Sequence, residues 1–117
     1  MNINNMLESI KQNPDFEKAG MVLCHNGVVR STSRDGRKVK GLRVSVNHQK
    51  LAQIISEQKQ QKGIVDIKVE IAEERDLAVG DDVMKLLVAG DIRENVIAEL
   101  TDTLNLIKST VTQKTEY

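Results

Sequence analysis

At 117 residues the chain is long enough to bury one core and too short for two comfortable ones, so residues 1–117 are expected to form one domain. Seventeen Lys and Arg balance seventeen Asp and Glu, and the aromatic content is 2%, Phe16 and Tyr117 alone. No net field draws the molecule to nucleic acid or an anionic membrane, and the stacking residues of single-strand readers are missing. Cys24 is the sole cysteine, which excludes an internal disulfide, and two histidines without neighbouring ligands argue against a zinc-type cluster. Neither a metal nor a cofactor is expected. The opening residues hold no apolar run of signal-peptide length, and nowhere does an apolar stretch reach the ~18 residues of a membrane span. The sequence reads as that of a cytoplasmic protein.

Residues 1–18 mix Asn, Glu and Lys with Met6, Leu7 and Ile10, which predicts a short helix ended before Pro14, followed by a loop. From residue 19 to Arg30 the β-branched and apolar residues around Gly27 predict a buried strand with a bulge or a close approach at the glycine. The polar stretch 31–38 carries an Asp35-Gly36 turn signal. It leads into Leu42, Val44 and Val46 alternating with Arg43 and Ser45, a hairpin-like return with one buried face.

Asn47 is placed to cap a helix whose apolar stripe is Leu51, Ile54 and Ile55, running to about Lys62 and stopped by Gly63. Val65, Ile67, Val69 and Ile71 alternate with Asp66, Lys68 and Glu70 without a fault, the pattern of a strand with its polar side in water. A charged connection closes in Val79-Gly80-Asp81-Asp82, the apolar run 83–89 predicts a central strand, and Gly90 ends it. Val96, Ile97, Leu100, Leu104 and Ile107 recur at steps of three and four, which predicts a helix from about Arg93 to Lys108. The order β, β, α, β, β, α argues for the α+β class, two helices packed on one face of a mostly antiparallel sheet.

Several residues have two readings at this stage. Arg30, at a strand end, is either an ordinary solvated arginine or a two-pronged holder of phosphate or carboxylate. Arg34, Arg37, Lys38, Lys40 and Arg43 form either a solvated hairpin or a local basic patch. His25 and His48 read as structural or surface histidines, and Cys24 as a small buried apolar residue. Asp81 and Asp82 read as turn residues. Lys108 suits the dipole of a helix C-terminus, while a lysine whose pKa is lowered by burial can act as nucleophile or acid–base group.

Three motifs in order carry a resemblance. Gly20-Met-Val-x-x-x-x-Gly27-x-Val29-Arg30 resembles Gly-Ala-x-x-x-Phe-x-Gly-x-Val-Arg, Val79-Gly80-Asp81 resembles a Val-Gly-Glu/Asp turn, and Gln113-Lys114-Thr115-Glu116 resembles Trp-Lys-x-Glu. All three patterns belong to the large, catalytic subunit of molybdopterin synthase, and the resemblance covers roughly Gly20 to Glu116.

The resemblance implies a hammerhead-type α+β fold and a homodimer. It also implies a small ubiquitin-like sulfur carrier whose Gly-Gly tail ends in a thiocarboxylate, and sulfur transfer to cyclic pyranopterin monophosphate in molybdenum cofactor biosynthesis. Lys114 and Lys108 would then be the catalytic lysines, with Arg30 and Arg93 as anion-binding residues. The chain departs from the pattern in several places, with Val111 and Gln113 standing where the family has a proline and a tryptophan before the last lysine. The family's His-Arg pair is Asp91-Ile92 here, with Arg93 one place late. If Lys114 is kept in register, the other lysine position falls on Ile107. A rotation of roughly 100° separates Ile107 from Lys108 on an α-helix. A relative that has lost catalysis and binds a carrier or ligand as a dimer is the alternative.

Overall fold

The computed structural model describes residues 2–117; Met1, the first residue of the predicted lead-in, lies outside the described residues. Along the chain run α1 (Ile3–Lys11), β1 (Met21–Val28), β2 (Gly41–Val46), α2 (His48–Gln58), β3 (Ile64–Ile71), β4 (Leu77–Ala78), β5 (Asp82–Gly90), α3 (Arg93–Leu106) and β6 (Thr112–Glu116). A 3-10 turn at Phe16–Lys18 and a π turn at Ile107–Val111 complete the order. No helix among the described residues is long and apolar enough to cross a membrane.

The most apolar run of the chain becomes β5, the central strand of an antiparallel sheet ordered β1-β5-β3. It has to be apolar because both of its faces are covered. On one face Met84, Leu86 and Val88 pack with Ile67, Val96, Ile107 and Val111, and the stripes of α2 and α3 close over them through Leu51, Ile54, Leu100 and Leu104. On the other, Leu87 and Ala89 meet Met6 and Ile10 of α1. Two helices therefore share one face as the sequence predicts, and the lead-in helix seals the face behind it. Asn2 starts α1 by accepting from Asn4 N at 2.9 Å.

A second antiparallel sheet, ordered β4-β2-β6, stands beside the first around Val29, Leu42, Val44, Ala72 and Leu77. This changes the predicted hairpin. β1 and β2 do not pair with one another; β1 pairs with β5, while β2 pairs with β4 and β6, and a single bridge, Thr32 to Lys38, closes the loop between them. The second correction is β6, which occupies the segment predicted only as the exit of the last helix.

Local expectations meet mixed outcomes. Asn47 does cap α2, accepting from Lys50 N at 3.1 Å, but the helix ends at Gln58 and a turn reaches Gly63, whose φ is +77°. The ladder slips between Gly27 and Val28, the irregularity expected at that glycine. Asp81 Oδ2 accepts from Ala78 N at 2.8 Å and closes the turn at Gly80, as predicted for a turn residue. The polar side of β3 is only partly wet, because Asp66 is buried and paired with Lys59 at 3.2 Å. Cys24 is exposed, contrary to its reading as buried. β1 is an edge strand, and an apolar-looking run at an edge does not have to bury both faces.

Candidate functional site

The site begins where α3 ends. At Ile107 the helix widens into a π turn, and Thr112 N–H donates back to Ile107 O, five residues away. Hydroxyls fill in around the loosened backbone: Thr110 Oγ1 donates to Leu106 O at 2.7 Å, while Val111 O accepts from Asn47 N at 2.9 Å and ties the turn to the start of α2. Ile107 is fully buried in the core. The position that residue counting assigns to the first lysine is thus a core position, and Lys108, the next residue, borders a cavity of about 770 Å³ together with Arg34, Gln58, Asp102, Asn105 and Ser109.

β6 then delivers the second lysine. In the β2–β6 ladder Lys114 is the partner of Val44, with Thr112 opposite Val46 and Glu116 opposite Leu42. Paired residues share a face of a sheet, so Lys114 rises on the same side as the apolar row Leu42, Val44 and Val46. It also borders a smaller cleft of about 420 Å³ with Arg43, Ser45, Glu74, Gln113 and Thr115.

Electrostatics link these groups. Burial, then the charges of Arg34 and Lys114, push the Lys108 amine below the ordinary lysine range. His25, half-buried on β1, is held below the ordinary histidine range by burial and by Lys108. Lys108 therefore has Arg34, Lys114 and His25 around it, gathered from a loop, an edge strand and a second strand. Among the described residues Arg34, Lys108 and Lys114 form no ion pair, whereas Arg37 closes on Asp35 at 3.0 Å and Arg43 on Asp76 at 3.2 Å.

The other predicted site residues lie apart from this group. Arg30 is exposed beyond the end of β1 and forms no ion pair among the described residues. Arg93 opens α3 and pairs with Glu94 at 3.5 Å. The helix is 14 residues long, so at 1.5 Å per residue Arg93 stands about 20 Å from Lys108 in the same chain.

Asp91, in the place of the expected His-Arg pair, is engaged locally: its Oδ1 accepts from Ile92 N at 2.6 Å and from Asn95 Nδ2 at 2.9 Å. Those bonds hold its carboxyl below the usual range, the Asn95 contact most of all. His48 is exposed and bonded to Glu73 at 2.6 Å. No group of three or more His, Cys, Asp or Glu among the described residues could hold a metal ion.

Arg34 and His25 are the neighbours of Lys108 that the sequence offered only as part of a basic stretch and as a structural or surface histidine. Arg34 looks the same in sequence as the four basic residues that follow it, and His25 sits in a strand with nothing nearby to mark it.

The chain can now be set beside known proteins. The family model described as MoaE protein matches residues 2–110 and so ends before Lys114. No curated protein matches the chain.

Among solved structures, molybdopterin synthase from Staphylococcus aureus is similar at a TM-score of 0.73 and 23% identity, covering 86% of this chain and 76% of that one. Molybdopterin cofactor biosynthesis protein E from Burkholderia multivorans is similar at a TM-score of 0.79 and 18% identity, covering 100% and 77%. The complex of subunits 1 and 2 of molybdopterin-converting factor from Helicobacter pylori is similar at a TM-score of 0.72 and 16% identity, covering 99% and 78%. With the family model matching residues 2–110 of this chain and this fold beneath it, the chain belongs to the MoaE family.

Proposed function

We propose that the protein acts in molybdenum cofactor biosynthesis as a molybdopterin synthase large subunit, moving sulfur from a thiocarboxylated carrier tail to cyclic pyranopterin monophosphate. The observation that supports this reading is that Lys108, on a π turn at the rim of an open cavity, feels the charge of Lys114, which stands on the adjoining edge strand and borders a separate smaller cleft. An amine with a depressed pKa holds more of its free-base form near neutral pH. It can then take a proton from a reacting group, return it to a leaving group, or receive an acyl group.

Lys114, exposed on an edge strand, suits the stabilisation of negative charge that develops as the thiocarboxylate sulfur leaves the tail carbonyl. Arg30, which does not line the cavity, is the candidate for holding an anionic group outside it. Arg93 lies too far from Lys108 to serve the same chain's cavity, and in the proposed homodimer it would serve the neighbouring subunit. The carrier subunit is part of the proposal, and the two-subunit composition of the Helicobacter pylori complex supports it. A cytoplasmic location and a single domain over residues 1–117 belong to the same reading.

One observation favours a second reading, a dimer that binds carrier or ligand without catalysis. Asp91 occupies the place of the expected His-Arg pair and is committed to its own helix start. A reconstituted reaction with thiocarboxylated carrier and cyclic pyranopterin monophosphate separates the two. Dithiolene product above background establishes the synthase; absence of product with carrier binding retained in calorimetry establishes the binding protein.

A further inference from the structure

The five basic residues from Arg34 to Arg43 have one appearance in sequence and different environments in the fold. Arg37 is paired within its own turn, and Arg43 bridges to Glu74 at 3.8 Å and Asp76 at 3.2 Å. Arg34 has no acidic partner among the described residues, yet it springs from a tightly closed loop. Ser33, buried beneath it, bonds Asp35, accepts from Arg37 N at 3.0 Å through its hydroxyl, and donates from its own N–H to Arg37 O at 2.8 Å. Gly36 turns the chain at φ +87°, and Val39 N reaches Ser31 O at 2.8 Å. The loop spends its one carboxylate, Asp35, on Arg37 and leaves Arg34 unpaired at the cavity that Lys108 borders.

Two like charges at one cavity repel, and after burial, the larger cause, the charge of Arg34 adds to the lowering of the Lys108 amine. The carboxylate on the same rim, Asp102, pairs with neither of them. An anion is what such a pair lacks. A guanidinium presents two parallel N–H groups to two phosphate oxygens, and an ammonium can take a third. The amides of Gln58, Gln61 and Asn105 line the rest of the cavity with donors and acceptors suited to a polar ring.

We propose that Arg34 and Lys108 together form a phosphate-ester site in this cavity, with Arg34 the residue that selects a phosphorylated ligand. The chain would thus supply from its own loop an anion contact where the His-Arg pair is missing. The identity of the natural ligand rests on the function proposed above; the phosphate site itself does not.

The test uses the full-length protein. Inorganic phosphate is titrated into isotopically labelled protein at fixed ionic strength, and the Lys108 side-chain resonances are followed. Saturable shifts are expected in the unaltered protein, with affinity about tenfold or more weaker in Arg34→Ala, partly recovered in Arg34→Lys, and unchanged in Lys50→Ala, which removes an exposed charge away from the cavity. In the reconstituted reaction Arg34→Ala is expected to raise KM for the pterin phosphate about tenfold and to lower kcat far less.

Absence of saturable shifts, or equal weakening in Arg34→Ala and Lys50→Ala, overturns the site. Turnover with an unchanged KM in Arg34→Ala overturns it while leaving the synthase reading intact. Arg34-dependent phosphate binding without any turnover supports the site and removes the synthase reading.

Discussion

Lys114 stands directly across the β2–β6 ladder from Val44, so a buried valine sets which way an exposed lysine faces. Its own contribution to the fold is small, since it lies on an edge strand and pairs with no acid among the described residues. Lys114→Ala is therefore expected to leave Tm and carrier binding close to the parent. The same change should lower dithiolene formation by about 100-fold or more, the scale of a lost proton-transfer or charge-stabilising group. A rate within a few-fold of the parent would take Lys114 out of the chemistry.

Lys108 should show its surroundings in its acid–base behaviour. Burial, Arg34 and Lys114 all favour its uncharged form, so the amine deprotonates at lower pH than a solvent-exposed lysine. Rates of amine acylation at Lys108, measured against pH, should rise earlier than for lysine in a short unstructured peptide. Arg34→Ala or Lys114→Ala should move that rise to higher pH. His25 gives an independent readout, because Lys108 helps hold it neutral: Lys108→Ala should raise the His25 pKa in an NMR titration. An unmoved histidine would break the link between the two side chains.

Glu99 is buried on α3 and accepts a hydrogen bond from Thr103 Oγ1 at 2.7 Å. Burial, the largest cause, raises its carboxyl above the usual range, and Asp102 adds to the rise. In the window between the unfolded and folded pKa the native state holds the proton and the unfolded chain does not, so stability falls as pH climbs through it. Above the folded pKa the loss is complete. Glu99→Gln removes that penalty and is expected to raise Tm at pH 7, with the gain fading as the pH drops into the ordinary carboxylate range. A pH-independent difference between the two proteins would refute the account.

α1 is held by a few side chains, chiefly Met6 and Ile10 against Leu87 and Ala89. Ile10 is completely buried, so Ile10→Ala should cost about 2–5 kcal/mol in denaturant unfolding. Glu8→Ala, on the exposed side of the same helix, should stay within about 0.5 kcal/mol of the parent.

What could be read ahead of the structure followed from local physics. The unbroken alternation in 65–71, the Asn47 cap, the glycine irregularity at Gly27 and the apolar centre of β5 each need only their neighbours in the chain. The errors came where a distant partner decides. Thr112 and Thr115 favour extended structure, but only pairing with β2 makes that segment a strand, and β2 lies more than sixty residues earlier. Cys24 is exposed because β1 lies at a sheet edge, a matter of strand order that its own sequence does not carry. Arg34 differs from Arg37 and Arg43 in forming no ion pair among the described residues once the chain is folded.

The π turn has a consequence for how this lineage is compared. Because five residues close a turn that four would close in a regular helix, the stretch from Ile107 to Val111 changes the phase between α3 and β6. A lysine-to-lysine count is then a poor ruler: two homologues with different counts can present their amines to the same volume, and two with equal counts can fail to. Residue numbers along this corner record how the backbone was threaded, and only the positions of the two nitrogen atoms record what was preserved.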